Sequence, residues 1–438
     1  MRNRLRAMAA AAALCALLAG CSDPGAGGGT AASAPATWPE QTARLDGVNL
    51  TIWASQNSTT VGEKVVADFE AATGASVDVE TIPDPYEQGV QTRVATGDTP
   101  DLAFWQPTSS MLTAIGARNV LQPLDGAPWL ERTDPAIRDI TGLLDGTRYA
   151  ALITSPAVEG VYYNKEVLAA AGITTLPRTF DELVAAARTL KAAGVTPFFE
   201  MGGDRWATQW WVQVQLADAA RDGLWERVSS GQEKFTDPTI LGAVERYKAL
   251  IDEGLFNADI ATAALEDQAA ALLAGQAGMV VQVNSFFSQL QALTGTPELD
   301  QKIGFFPIAP SGNIGTFIPD QSNALVAFRT GDAAREAAAR QLMSFWLGQG
   351  YPAFLADRQT VSLQPGVPDP DGVPTALRDV HAALPTSVGS MQALAVANPD
   401  LYIYLADMIQ GTTTPQQVAS QTQAQFDQLA RAQGVPGF

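Results

Sequence analysis

The side chains here that could do chemistry are aromatic and acidic, with almost no histidine among them. The 438 residues hold nine Trp, 46 Asp and Glu, and one histidine, His381, which reads as a surface position. A lone histidine removes His-pair zinc motifs and leaves Ser-His-Asp catalysis hanging on one residue. No Gly-x-Ser-x-Gly elbow, Walker loop or metal-ligand spacing occurs either, so no metal or cofactor is expected. The remaining chemistry is that of binding: flat aromatic faces that can stack, with carboxylates, amides and Arg that can exchange hydrogen bonds.

Two stretches concentrate those groups. Gly97–Trp105 reads as a break at Thr99-Pro100 followed by a buried strand ending on Trp105, with Gln106-Pro107-Thr108 as a polar loop beyond. An aromatic at the carboxyl end of a parallel strand sits where open α/β sheets bind ligands, although a core Trp capping a strand fits the same pattern. Farther on, Gly202-Gly203-Asp204-Arg205-Trp206 is a polar, Gly-led loop, which favours a site over a core. Trp210 and Trp211 are neighbours on a helix and face differently, so at most one reaches a cleft, and Trp210 is taken as that one. Asp320 and Gln321 follow the Gly/Pro-rich stretch 309–319, and a carboxylate buried there would be costly unless it met hydroxyls or Arg. Tyr402 is a further candidate, while Trp129, Trp225 and Trp346 read as structural.

The elements that must position these groups alternate between strands and helices. Leu50–Trp53 is a strand, Val61–Ala72 has the helix period with Gly74 as its stop, and Ala75–Ile82 is a strand again: a β-α-β unit, hence a parallel sheet. Thr179 with Glu182 three residues later predicts a capping box opening a helix that runs to Ala193. Strands are expected at 149–153, at 159–165 running into a turn, and at 277–283, 303–308 and 324–328, with an Ala-rich helix over 332–347. A chain this long exceeds one compact core, so two lobes are the default. Hydrophobic content of 46% with 17% charge fits a soluble globular protein, and a net charge of −19 disfavours nucleic acid and polyanionic substrates.

Residues 1–20 carry Arg2, Arg4 and Arg6 before an apolar run too short to span a membrane as a finished helix. The run ends in Leu18-Ala19-Gly20-Cys21, which resembles a bacterial lipoprotein signal with Cys21 as the lipid-modified N-terminus. Loss of those three arginines would take the net charge from −19 to −22. Residues 21–45 then form a lipidated, Gly/Ala/Ser/Pro-rich flexible tether. The folded part is thus expected outside the cytoplasm, held to the outer face of the cytoplasmic membrane.

In this order the elements resemble the extracellular solute-binding proteins of ABC importers, in the large maltose-binding-protein-like, carbohydrate-binding group. The carriers are Leu50–Trp53, Phe69–Gly74, Ala95–Asp101, Tyr162–Lys165, Pro177–Leu183, Leu190–Gly194 and Leu273–Met279. The resemblance implies an α/β, two-lobed periplasmic-binding-protein-like fold of the class II type, each lobe a mostly parallel sheet flanked by helices. It maps lobe one to residues 46–154 plus 320–348 and lobe two to 155–319 plus 349–438. Hinges would fall near Thr154–Pro156, Gly312–Gln321 and Leu347–Pro352, where Pro and Gly cluster.

It also implies ligand contacts from Gln56, Asn57 and Ser58, then Trp105, Gln106 and Thr108, and from Glu159, whose other reading is a hinge residue paired with Arg. Asn284 and Phe286 follow the Gly-Met strand, where the family often places a Trp that is missing here. The function implied is capture of a neutral mono- or oligosaccharide by a monomer and delivery to permease subunits. Other solutes (a glycerol-phosphate compound, a cyclitol, a peptide) and a sensor role stand beside it. A lipid-anchored glycoside hydrolase using Asp204 and Glu159 is the catalytic alternative.

Overall fold

The computed structural model describes residues 38–55, 61–83, 85–320 and 323–438. The expected signal, Cys21, most of the tether, Gln56, Asn57, Ser58 and Gln321 lie outside the described residues. Everything below belongs to one compact unit, Ala36–Phe438.

Thirteen strands are described. They are β1 (Asn49–Ser55), β2 (Ser76–Ile82), β3 (Leu102–Phe104), β4 (Leu143–Leu144), β5 (Thr147–Arg148), β6 (Ala150–Leu152) and β7 (Ala157–Asn164), then β8 (Thr196–Phe198), β9 (Ala277–Gln282), β10 (Ile303–Phe306), β11 (Thr316–Ile318), β12 (Ala324–Ala327) and β13 (Val388–Gly389). The first unit forms as its period dictates. Val65, Val66, Phe69 and Thr73 bury one face of the Glu63–Thr73 helix, and Gly74 ends it in a left-handed conformation with its N–H on the Glu70 carbonyl. β2 then returns parallel to β1, pairing Leu50 with Val77.

One sheet has the order β2-β1-β3-β12-β6; the other runs β13-β11-β7-β9-β8, with β10 also on β7. In each sheet a single strand opposes the rest, β12 in the first and β7 in the second. Both are strands that bring the chain in from the other lobe, β7 after Thr154–Pro156 and β12 after the crossing that begins at Pro319. The reversal has a simple consequence. A chain leaving one sheet by a carboxyl edge enters the next at its carboxyl edge, so the ends of all the co-directional strands converge on the crossings. That is the edge where open α/β sheets bind ligands.

Helices cover the sheets, as the class requires. Thr179 caps the Phe180–Ala192 helix by accepting from the Glu182 N–H, while the Glu182 carboxylate takes the Arg178 N–H rather than that of the cap itself. The Ala333–Trp346 helix packs on the first sheet. The chain does not leave that lobe at residue 348, because Tyr351, Phe354 and Leu355 bury one side of the Tyr351–Arg358 helix against the Glu63–Thr73 helix. Phe354 lies edge-on to Trp346 at 5.4 Å. The second lobe is rejoined by the Thr375–Ala383 helix, which packs on β10.

Candidate ligand-binding site

Asn323 ties the two crossings together. Its buried amide donates to Thr154 Oγ1 and to the Ser155 carbonyl, both at 3.0 Å, and its Oδ1 accepts from the Asp320 N–H at 2.8 Å. A recess of about 250 Å³ opens beside this knot, walled by Thr154 and Ser155 after β6, Asn284 and Ser285 after β9, Asp320 after β11, and Arg358. Strand ends of both sheets therefore contribute to one pocket. Asn284 is held in the wall by accepting the Val158 N–H on Oδ1 at 3.0 Å. Of the residues expected from the sequence, Asn284 and Asp320 meet here.

A second group sits on the loop after β8. Gly202 and Gly203 press against the backbone of 260–263, and a Cβ on Gly203 would lie 2.6 Å from the Thr262 carbonyl oxygen. Asp204 Oδ2 accepts the Leu265 N–H at 2.7 Å, which pins the loop to the start of the Leu265–Leu273 helix. Arg205 is exposed and Trp206 half-exposed, its ring edge-on to Trp210 at 6.1 Å. Thr208 Oγ1 donates to the Tyr402 carbonyl at 3.1 Å, bringing the Leu401–Ile409 helix alongside. Burial raises the Tyr402 phenol, Asp400 and Glu87 raise it further, and Arg205 opposes them. Glu87 belongs to the Tyr86–Ala95 helix of the first lobe, so charges from both lobes act on Tyr402.

Glu200 stands directly beneath this loop. It is fully buried, Oε1 accepts the Met201 N–H at 2.8 Å, Oε2 accepts the Tyr247 hydroxyl at 3.2 Å, and burial pushes its carboxyl up to about 7. Its backbone N–H donates to Asn257 Oδ1 at 2.8 Å.

Several expected contacts are corrected by packing. Trp105 is wholly buried: its Nε1 donates to the Met111 carbonyl at 3.2 Å, and no ring face is open for stacking. Thr108 is buried as the N-cap of the Ser109–Ala114 helix, its hydroxyl accepting the Met111 N–H. Phe286 is sealed against Tyr162 at 5.6 Å, and Trp210 is 4% exposed. His381, read as a surface residue, is half-buried, and its Nδ1 has no partner among the described residues; burial lowers its pKa, against the pull of Asp369 and Asp134. Gln106 stays half-exposed at the end of β3.

Glu159 differs from both readings offered for it. It is fully buried, neither oxygen has a hydrogen-bond partner among the described residues, and burial raises its carboxyl well above the usual range. Thr316, opposite it across the β7–β11 pair, is equally buried, and its Oγ1 likewise has no partner among them. An acid so placed is held as the neutral carboxyl, since an ionised form would be neither solvated nor paired. Strand alternation sets Glu159 on the same face of β7 as Ala157, which lines the recess.

Asn323, Arg358 and Glu200 escaped the sequence reading. Only the Asp320-to-Asn323 spacing carried a signal, that of a polar turn.

Two lobes joined by crossing strands, with a polar recess where their carboxyl edges converge, define the architecture of a two-lobed binding protein. The chain belongs to the bacterial extracellular solute-binding protein family, which it matches over residues 54–351. It is similar in fold to a chitin oligosaccharide binding protein, with a TM-score of 0.73 and 22% identity over 88% of this chain and 99% of that one. It is also similar to RafE of Streptococcus pneumoniae, whose complex with raffinose superposes with a TM-score of 0.71 at 19% identity, over 87% of this chain and 99% of that one. Among curated proteins, one assigned as a binding protein of Brucella abortus (strain 2308) is 28% identical over 260 residues, 58% of this chain and 61% of that protein. An ABC transporter extracellular-binding protein of Pyrococcus horikoshii is 26% identical over 227 residues, 51% of this chain and 50% of that one. The matches thus span between half and three-fifths of these curated relatives. The expected family and the two-lobed α/β class both hold.

Proposed function

We propose that this chain is the extracytoplasmic capture component of an ABC importer, closing its lobes on a neutral carbohydrate and presenting it to permease subunits. The observation that carries the reading is the recess at the crossings, to which strand ends from both sheets contribute polar side chains. A ligand touching both walls binds the closed arrangement better than the open one, so it shifts the population toward closure. The lobes that move are taken as 46–154 with the segment from 320 through the Tyr351–Arg358 helix, and 155–319 with the remainder, hinged at the two crossings that Asn323 ties. Asn284, Asp320, Asp204, Arg205, Trp206, Tyr402 and Gln106 are the contacts proposed on geometry; Gln56, Asn57 and Ser58 are kept on resemblance, and Gln321 on its place beside Asp320 in the crossing segment. Glu159 lies one pleat deeper and would meet a hydroxyl only if the ligand or a water reached it.

The fold neighbours that bind chitin oligosaccharide and raffinose support the choice of a carbohydrate. The recess walls offer amides, hydroxyls, carboxylates and a guanidinium, groups suited to holding sugar hydroxyls without turnover. Lipidation at Cys21 would hold the monomer at the outer membrane face. A thermal-shift screen against raffinose, N-acetylglucosamine oligomers, glycerol phosphate and a short peptide tests this, because a specific ligand raises Tm by mass action. A rise with a sugar and no products on prolonged incubation is expected. A rise only with the phosphate or peptide, or steady release of product, would overturn it. Cys21→Ser should free the protein from membranes.

A further inference from the structure

Arg205 is held in a backbone conformation that an L-residue avoids. Its φ is 65° and ψ −53°, and the Trp206 N–H bonds back to the Asp204 carbonyl at 2.7 Å. That is a γ-turn of positive φ, the rare and strained form. Gln359, by contrast, reaches positive φ in an ordinary left-handed helix cap, with ψ 45°. Strain of this kind persists only where the surroundings over-determine it. Here they do: Gly202 and Gly203 have backbone where a Cβ would go, Asp204 is bound to the Leu265 N–H, and Thr208 N–H donates to the Arg205 carbonyl at 2.9 Å. The strained residue is exposed, and its guanidinium makes no hydrogen bond or ion pair among the described residues.

We infer that Arg205 is the specificity-determining residue of the ligand site, its strained turn presenting the guanidinium fork to two adjacent hydroxyls of a neutral sugar ring that rests on Trp206. This rests on the carbohydrate reading above. A guanidinium offers parallel N–H donors spaced for a pair of oxygens, which a vicinal diol or a carboxylate supplies. The surroundings choose between them. Asp204 adjoins Arg205, and Asp400 and Glu87 act on the neighbouring Tyr402, so an anionic ligand would meet acids from both lobes. Hydroxyls suit such a mixture, because each can accept from Arg205 and donate to a carboxylate. Glycine at 205 would keep the turn, release its strain and delete the fork.

The test combines Tm with titration calorimetry on the full chain, using raffinose, N-acetylglucosamine oligomers and an oligogalacturonate as probes. Arg205→Gly should raise Tm by roughly 1–3 °C without ligand while weakening the neutral sugar roughly 10- to 100-fold. Arg205→Lys should recover only part of that affinity, since it restores charge without the fork. A fall in Tm for Arg205→Gly would overturn the strain, and unchanged sugar affinity in both variants would overturn the recognition. Binding of the oligogalacturonate alone would overturn the neutral-diol assignment. If the wild-type chain bound none of the three, the carbohydrate reading would fail and this inference with it; wild-type binding indifferent to Arg205 would sink this inference alone.

Discussion

The ends of β3 and β8 look alike on paper and behave oppositely in the fold. Each is a short strand with a polar loop and a Trp close behind it, the Trp before the loop at β3 and after it at β8. After β3 the backbone keeps pairing, with the Trp105 N–H on the Ala324 carbonyl at 3.1 Å, and the Ser109–Ala114 helix starts at once. That helix folds its Met111 carbonyl onto the indole N–H, so the one polar atom of Trp105 is consumed inside the core. After β8 the chain is deflected by two glycines and a γ-turn before its helix begins, and Trp206 emerges half-exposed beside the exposed Arg205. The contrast teaches that a strand end makes a site only if the following turn spends residues on facing outward. A cap placed four residues on closes it again.

The largest effect expected from that contrast is on stability. Trp105→Ala should cost about 3–5 kcal/mol, as other large-to-small core changes do, read as a lowered denaturation midpoint. A stable Trp105→Ala variant that had lost sugar binding would instead restore β3 as the stacking platform.

Next comes the pH dependence of the β8 side. Glu200 sits at about 7 when folded against a reference of 4.5, so the folded chain holds its proton more tightly. Its contribution is fully present below about 4.5, declines as pH rises, and is lost above about 7. The loss runs at about 1.4 kcal/mol for each pH unit between those two values, so Glu200→Gln should visibly flatten the fall of Tm between pH 5 and 7. Parallel profiles for wild type and variant would remove Glu200 as the titrating strut of the loop.

The smallest effect sharpens the comparison. Trp206→Ala should change stability little while weakening sugar binding by about 0.5–1.5 kcal/mol, up to about tenfold, from lost stacking. Equal losses of stability for Trp105→Ala and Trp206→Ala would erase the difference between the two regions.

Much of the architecture was legible in the residues because its causes are local. The helix period of Val65, Val66 and Phe69, the stop at Gly74 and the cap at Thr179 each act within a few positions, and each formed. The candidate site was legible only in part. Its polar loop at 204–206 and the crossing acid at 320 stood out by composition. Asn323 and Arg358 did not, because their meaning comes from partners elsewhere: Asn323 binds Thr154, 169 positions away, and Arg358 donates to the Val61 carbonyl.

By itself, then, the sequence determined the family, the two-lobed α/β class and the order of its strands and helices, since hydrophobic period, turn residues and caps are written within short windows. Only the tertiary structure decided that Trp105 belongs to the core and Trp206 to a surface. It alone carried the first lobe on through Tyr351–Arg358, and it alone left Glu159 buried without a partner among the described residues. The reason is physical: period fixes which face a side chain takes, whereas its exposure depends on what distant segments lay over that face.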